Sequence, residues 1–396
     1  MSVAFIHLDL GIGGAENLVV NAAKGLQDNG LDVTIFTSHH DPTRAFKMTT
    51  DGTIKVCSGF LRNRPQVVVY GQWIPRQVFG GFTIFLSIFR MFWICFMMLL
   101  CSNRSDFVFT DQVSVVNAFV RMFFLARKKL IFYCHFPDLL LATDRSSLWR
   151  RLYRLPFDTL EKHTTSMCDV LIVNSEFTSS TLKSTFSNIK RKVHVLYPPV
   201  DTKEIPSADS PSLPTGACKY FLSVNRYERK KDLVLVIEAF ATCAKRIGNT
   251  KLVLVGGYDP RLKENVEYYS ELCDLVSQHG LMNRVLMLKN TSDQQRTELL
   301  QHAEAVIYSP QFEHFGIVPC EAMSVGTPVI AWNNGGPKES LIHGKTGWLC
   351  NDRNEFAAAI LEAMGKKASM SKACKDRVKK KFSLEAFTKA LVSLVR

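Results

Sequence analysis

Short apolar runs alternate with glycine turns and helical patterns along this chain. Val3–Leu10 is an apolar run halted by Gly11-Ile-Gly13-Gly14. Apolar positions at helical spacing continue from Ala15 to Asn29, and a second apolar run follows at Asp32–Thr37. Strand, glycine turn, helix, strand is the opening unit of a doubly wound α/β domain. Further strands are expected at Phe107–Thr110, Lys129–Cys134 and Val170–Asn174, giving a first domain over residues 1–197. Pro198, Pro199, Pro206, Pro211 and Pro214 then stand among Ser, Thr and Asp, as expected of a linker over 198–216. A second alternation begins at Tyr220. Its strands are expected at Phe221–Asn225, Leu252–Gly256, Val285–Leu288, Ala305–Tyr308 and Pro328–Ala331, with helices at Asp232–Arg246 and Gln294–His302. This predicts a second Rossmann-like domain over 217–376, followed by a helix over 377–396 that can cross back to the first domain.

Residues 82–101 interrupt the alternation with an almost unbroken apolar stretch, FTIFLSIFRMFWICFMMLLC. About 20 such residues suffice to span a bilayer core. Arg90 stands near the middle. A central arginine costs about 2.5–3.5 kcal/mol on the insertion scale, while each Leu, Ile or Phe returns roughly 0.3–0.6, so spanning is only marginally favoured. Spanning would also divide one domain's strands across a membrane. The expected placement is a helix in the interface or a hairpin dipping into it. Basic anchors would lie near Arg76, Arg104 and the Arg150-Arg151-Leu-Tyr153-Arg154 cluster. A buried core helix is the alternative.

Composition narrows the class. A chain of 396 residues is too long for one compact core, and its net charge of +13 points to an anionic partner: nucleic acid, a phosphate-rich substrate or an anionic membrane face. The eleven cysteines are scattered singly and mostly within apolar runs, as buried thiols of a reducing compartment are. The opening Met-Ser-Val-Ala-Phe-Ile has no basic start or small-residue cleavage site, so no signal peptide is expected.

Three motifs carry candidate chemistry. Gly13 and Gly14, between a strand and a helix, allow close approach of a ligand to backbone and to the helix N-terminus. A dinucleotide fingerprint would place glycine at position 16, where this chain has Glu16, although Asp32 stands at a tempting distance for a ribose. Asn225-Arg226-Tyr-Glu-Arg229-Lys230-Lys231 closes a strand with cations suited to a diphosphate, the arginine as a planar fork and the lysine as a point charge. In Glu313-His-Phe315-Gly316-Ile317-Val318-Pro-Cys-Glu321, a first carboxylate ends a loop and a second lies on the helix that follows. Glu313 can accept from sugar hydroxyls and Glu321 from a ribose diol, while the helix start offers amide donors.

Glu313 and Glu321 resemble the Glu-x7-Glu motif of the retaining GT-B glycosyltransferases of family four. Arg226 and Lys231 are similar to that family's arginine–lysine pair, and Gly13-Gly14 to its glycine loop. The resemblance covers both domains and implies two Rossmann-like domains facing each other across a cleft. Tyr133-Cys-His135-Phe-Pro-Asp138, Val173-Asn-Ser-Glu-Phe-Thr178 and Glu313-His-Phe-Gly-Ile-Val-Pro319 look further like the eukaryotic α-1,3/1,6-mannosyltransferases of lipid-linked oligosaccharide assembly. That implies a GDP-mannose donor and a dolichyl-diphosphate-linked acceptor extended from Man1GlcNAc2 to Man3GlcNAc2. It also implies the cytosolic face of the endoplasmic reticulum membrane, other enzymes of that assembly line as candidate partners, and no nucleic acid.

An α-linked donor giving an α-linked product means retention. No carboxylate stands in the local context of a nucleophile, which favours front-face displacement. Arg226 and Lys231 would then stabilise the departing diphosphate, while Glu313 and the amides of Phe315, Gly316, Ile317 and Val318 hold mannose. Glu321 would hold ribose, and His135 would position sugar or acceptor. With cations already supplied by the chain, no obligatory metal or other cofactor is expected. Three alternatives stay open: a UDP-sugar transferase on another lipid acceptor, a nicotinamide-dependent oxidoreductase, and a membrane-bound binding module.

Overall fold

The computed structural model describes residues 1–51, 53–56, 66–78, 82–100, 105–124, 128–141, 148–200 and 218–395. Arg104, the Arg150 side chain and residues 201–216 of the expected linker lie outside them. The chain forms two compact units, Met1–Pro199 with Leu384–Arg396, and Val200–Ser383.

In the first unit, eight parallel strands make one sheet: β1 (Ser2–Asp9), β2 (Asp32–His39), β3 (Lys55–Val56), β4 (Gln66–Val69), β5 (Phe107–Asp111), β6 (Lys129–Cys134), β7 (Val170–Val173) and β8 (Val193–Val195). Their order is β3-β4-β2-β1-β5-β6-β7-β8. The strands β3, β4 and β8 were not among the sequence expectations; they are short and sit at or near the sheet's edges. Side chains alternate between two cores, as the two-residue period of a strand requires. Val3, Phe5, Phe109, Ile131 and Tyr133 face helix α1 (Gly14–Asp28) and the final helix Leu384–Val395. Ala4, Ile6, Val108, Leu130 and Phe132 face helices α2 (Thr83–Leu100) and α3 (Val115–Phe124).

The final helix brings Phe387, Leu391, Val392 and Val395 into the first of these cores. Gly25 lets it approach α1, because a side chain there would collide with Thr388. This segment begins at Leu384 rather than at 377: residues 377–381 complete the helix Lys367–Lys381 of the second unit. The break falls where buried Phe382 packs at a tilt against Phe315 and where Ser383 bridges to Val200.

The apolar stretch forms α2, long and apolar enough to cross a membrane by length and composition. Its inner face nevertheless belongs to the unit's core. Met91, Ile94, Cys95 and Met98 are fully buried there, and burial of each large apolar side chain stabilises by roughly 1.5–3 kcal/mol. Arg90 turns inward with them and donates to Asp9 Oδ1 at 2.6 Å and to Ser38 Oγ at 3.1 Å. The outer face carries exposed Phe85, Phe89, Phe96 and Leu100. The helix is thus a core element whose outer side is an aromatic stripe. One expected anchor is engaged inside the unit, while Arg76 keeps 59% of its side-chain exposure. Arg154 is buried against Asp138 and Asp158, and Arg76 pairs with Asp9 at 3.4 Å.

The second unit holds a six-stranded parallel sheet: β9 (Tyr220–Val224), β10 (Lys251–Gly256), β11 (Val285–Lys289), β12 (Val306–Tyr308), β13 (Val329–Trp332) and β14 (Gly347–Cys350), in the order β11-β10-β9-β12-β13-β14. The expected helix from Asp232 runs as Leu233–Cys243, with Asp232 as its cap, accepting from the Leu235 amide. In both units the strand order reverses beside the first strand, between β1 and β5 and between β9 and β12. Ligands of open α/β sheets bind at the carboxyl ends of strands at such switch points.

Candidate active site

The loops leaving β9 and β12 meet at the second unit's switch point. The first turns through Arg229–Lys231, and Ser309 Oγ donates to the Lys231 carbonyl at 2.6 Å, tying the two loops together. Trp332 Nε1 in turn donates to the Ser309 carbonyl at 2.8 Å. From this frame Lys231 Nζ donates to Glu313 Oε2 at 2.6 Å, with side chains only 14% and 25% exposed. Burial alone would push the Glu313 carboxyl up. The Lys231 charge and hydrogen bond, helped by His314 and the Tyr308 hydroxyl, outweigh it and hold the group below its ordinary range. Beneath, burial pushes the Tyr308 phenol well up, so it stays a neutral donor.

Gly316 opens the helix Ile317–Ser324 at a φ of 74°, in the left-handed region glycine favours. A side chain there would meet the Tyr308 ring, and one at Gly336 would collide with the Phe315 backbone. Gly336 N donates to the Glu313 carbonyl at 2.8 Å, which fixes the loop. Glu321, on the same helix, is gripped by both Arg296 terminal nitrogens at 3.0 and 3.2 Å. Sequence reasoning missed Arg296. An arginine on the helix after β11 carries no local motif, and the strand order alone brings it to Glu321. Arg226 is 62% exposed and pairs with Glu228 at 2.7 Å, its stem against Gly257. The structure therefore unites Lys231 with Glu313 and sets Arg226 on a neighbouring surface of the same loop.

In the first unit, Gly13 caps α1 with extended backbone, and a side chain there would run into the Glu16 carboxylate; Gly14 has open space. Asp32 pairs with Ser2 at the start of β2, the end of the sheet opposite the glycine loop. It therefore cannot serve a ribose held at that loop, and the dinucleotide reading loses its acidic residue. His135, just after β6, sets Nε2 3.1 Å from Asp111 Oδ2 at the end of β5. Fully buried His7 in β1 lies 2.8 Å from the same carboxylate. Neither His7 nor Asp111 was anticipated. Their signal was available, since ionisable residues interrupt or end two otherwise apolar strands.

A group of this kind, a lysine–glutamate pair beside a helix start in a doubly parallel fold, defines a class. The family model for glycosyl transferases group 1 matches residues 209–381, and that for glycosyltransferase family 4 matches residues 12–204. Among solved structures, sucrose-phosphate synthase from Thermosynechococcus elongatus is similar at a TM-score of 0.77 and 23% identity, covering 100% of this chain and 98% of that one. OtsA in its apo form gives 0.74 at 12% identity, covering 100% and 99%. The fold is GT-B, and the chain is a glycosyltransferase.

Full-length relatives narrow the family. Alpha-1,3/1,6-mannosyltransferase ALG2 of Dictyostelium discoideum is 39% identical over 100% of this chain and 98% of its own length. The Mus musculus and Homo sapiens proteins of the same name are 42% and 41% identical, each over 100% of this chain and 95% of the relative. The chain belongs to the ALG2 family of α-1,3/1,6-mannosyltransferases.

Proposed function

We propose that this chain transfers mannose from GDP-mannose to Man1GlcNAc2-diphosphate-dolichol, first in α-1,3 and then in α-1,6 linkage, with retention, at the cytosolic face of the endoplasmic reticulum membrane. The observation that carries the reading is the half-buried Lys231–Glu313 pair at the second unit's switch point. A lysine held there by a carboxylate is pre-placed to meet the charge that grows on a departing diphosphate, at no reorganisation cost when the bond breaks. Arg226, exposed on the same loop, adds a second cation.

Glu313, kept ionised by Lys231, accepts from mannose hydroxyls. The backbone amides of Phe315, Gly316, Ile317 and Val318 donate to the sugar and phosphate at the helix start. Glu321 accepts from the ribose diol, with Arg296 fixing its carboxylate. Gly13 and Gly14 let the donor lie close to backbone, and His135 orients the sugar or the acceptor. In a front-face displacement the acceptor hydroxyl attacks from the side the diphosphate leaves, and a leaving-group oxygen takes the hydroxyl proton. No protein nucleophile is required. The exposed stripe Phe85, Phe89, Phe96 and Leu100 supports seating on a membrane surface, where the lipid-linked acceptor resides.

Offering the purified chain GDP-mannose, UDP-glucose and UDP-GlcNAc in parallel, with a Man1GlcNAc2-diphosphate-lipid, tests the donor. Transfer from GDP-mannose alone is expected. Turnover with a UDP-sugar but not with GDP-mannose would replace the substrate while keeping the site.

A further inference from the structure

The buried ionisable row of the first unit carries an inference that rests on the transferase reading and deepens it. Strands β1, β5 and β6 lie side by side, and their register sets His7, Asp111 and His135 within hydrogen-bonding reach in sequence. His7 has Nδ1 at 2.8 and 3.0 Å from the two Asp111 carboxylate oxygens, and Nε2 at 3.1 Å from the Asp9 carbonyl. A carbonyl and an ionised carboxylate can only accept. A neutral imidazole carries one N–H and would set one lone pair against another, so a ring between two acceptors holds both protons. Burial alone would lower the proton affinity of His7. The Asp111 charge, aided by Glu16, reverses that, and the His7 charge likewise draws the buried Asp111 carboxyl below its ordinary range. Within the row, His7 is the imidazolium and Asp111 the carboxylate.

The charge balance reaches His135. Asp111 Oδ2 already accepts from His7 and lies 3.1 Å from His135 Nε2. An ionised oxygen accepts there too, which places the His135 proton on Nε2 and leaves the Nδ1 lone pair uncommitted. Among the described residues no polar group meets Nδ1, and the side chain keeps 25% of its exposure. His7 already pairs with the Asp111 carboxylate, and the same carboxylate orients His135 by accepting at its Nε2. The far end of the row is also held, since Asp9, whose carbonyl receives His7 Nε2, is clamped through its carboxylate by Arg90 of α2 at 2.6 Å.

We propose that His7 and Asp111 are positioning residues for His135: a buried imidazolium–carboxylate pair that keeps its proton on Nε2 and presents Nδ1 as an acceptor to a hydroxyl of the bound sugar or acceptor. Neither touches substrate.

Two measurements on the full chain test this. With 15N-histidine labelling, ring-nitrogen spectra between pH 6.5 and 8.5 should show His7 with both nitrogens protonated throughout. Where the His135 ring is neutral, its single proton should sit on Nε2 and leave Nδ1 bare. In transfer assays, His7→Gln should lower kcat about ten-fold or more, the size of loss found when a partner that orients a metal-ligating histidine is removed. Its KM for GDP-mannose should stay within about two-fold, because the donor-holding residues of the second unit are untouched. In a His135→Ala background the same substitution should cost less than about two-fold more in kcat. Its effect on Tm should persist in both backgrounds. A neutral His7, or an equal loss of kcat in both backgrounds, would overturn the proposal. A wild-type chain that transfers no mannose overturns the transferase reading instead, and the ring spectra then still decide the charge state of the pair.

Discussion

Lys231→Met separates the catalytic and structural consequences of the central ion pair. The substitution keeps an unbranched side chain as far as Cε but removes the ammonium that Glu313 meets at 2.6 Å. If Lys231 stabilises the departing diphosphate, its loss resembles loss of one oxyanion donor, about 10²–10³ in kcat, or about 2.7–4 kcal/mol. Stability should fall as well. Breaking a fully buried pair costs about 3–5 kcal/mol, and the 14% and 25% exposure of these side chains reduces that to about 1–3. At about 2–4 °C per kcal/mol for a unit of this size, Tm should drop by about 2–12 °C.

The pH dependence gives a check on sign. In the native protein the Glu313 carboxyl is held below its ordinary range, so the pair's contribution is present above the unfolded pKa and lost as pH falls through the folded value. In Lys231→Met, burial without the cation pushes the carboxyl up. The variant's deficit in Tm should therefore shrink on going from pH 7 to pH 5, and Glu313→Gln in the same chain should recover part of it at pH 7. Neither change should restore kcat. Single-turnover transfer and thermal denaturation across that range supply both readouts. Activity within about ten-fold of wild type would refute the role given to Lys231.

Three further outcomes are expected. Gly336→Ala drives a methyl into the Phe315 backbone and should cost about 1–3 kcal/mol by thermal denaturation, with weaker GDP-mannose binding by calorimetry; unchanged stability would show that the loop can yield. Phe85→Ser, Phe89→Ser and Phe96→Ser together remove about 1–2 kcal/mol of apolar transfer, so partition onto anionic vesicles should fall about five- to thirty-fold; unaltered sedimentation would dismiss the stripe as a membrane face. Arg90→Leu makes α2 more apolar but removes the buried cation that Asp9 meets at 2.6 Å, so Tm should fall with no gain in vesicle binding; a marked gain would mean that position 90 faces lipid.

The strand–helix alternation was legible because strands buried on both faces of a parallel sheet must be continuous apolar runs. That is why β1, β6 and β9 lie within a residue or two of their expected bounds. Gln66–Val69, next to the sheet's edge, and Val193–Val195 at the other edge are only four and three residues long, too short to stand out as strands in such reading. Lys231 and Glu313 could be nominated from local pattern, but their contact depends on β9 and β12 being neighbours despite the β10 and β11 units between them. Arg90 shows the converse. Read as one charge in an apolar window, it weighed only against membrane insertion. Its partners Asp9 and Ser38 close two other strands of the sheet and are invisible to any local window.

The most direct test of the account is the structure of the product made by the purified chain from GDP-mannose and Man1GlcNAc2-diphosphate-lipid. Mass spectrometry combined with linkage-specific mannosidase digestion should show two added mannoses, one α-1,3-linked and one α-1,6-linked. Lys231→Met should depress formation of both linkages together, by about 10²–10³-fold. A product from which either mannose is missing, or one linkage formed at the wild-type rate despite that substitution, would contradict the assignment of both transfers to this site.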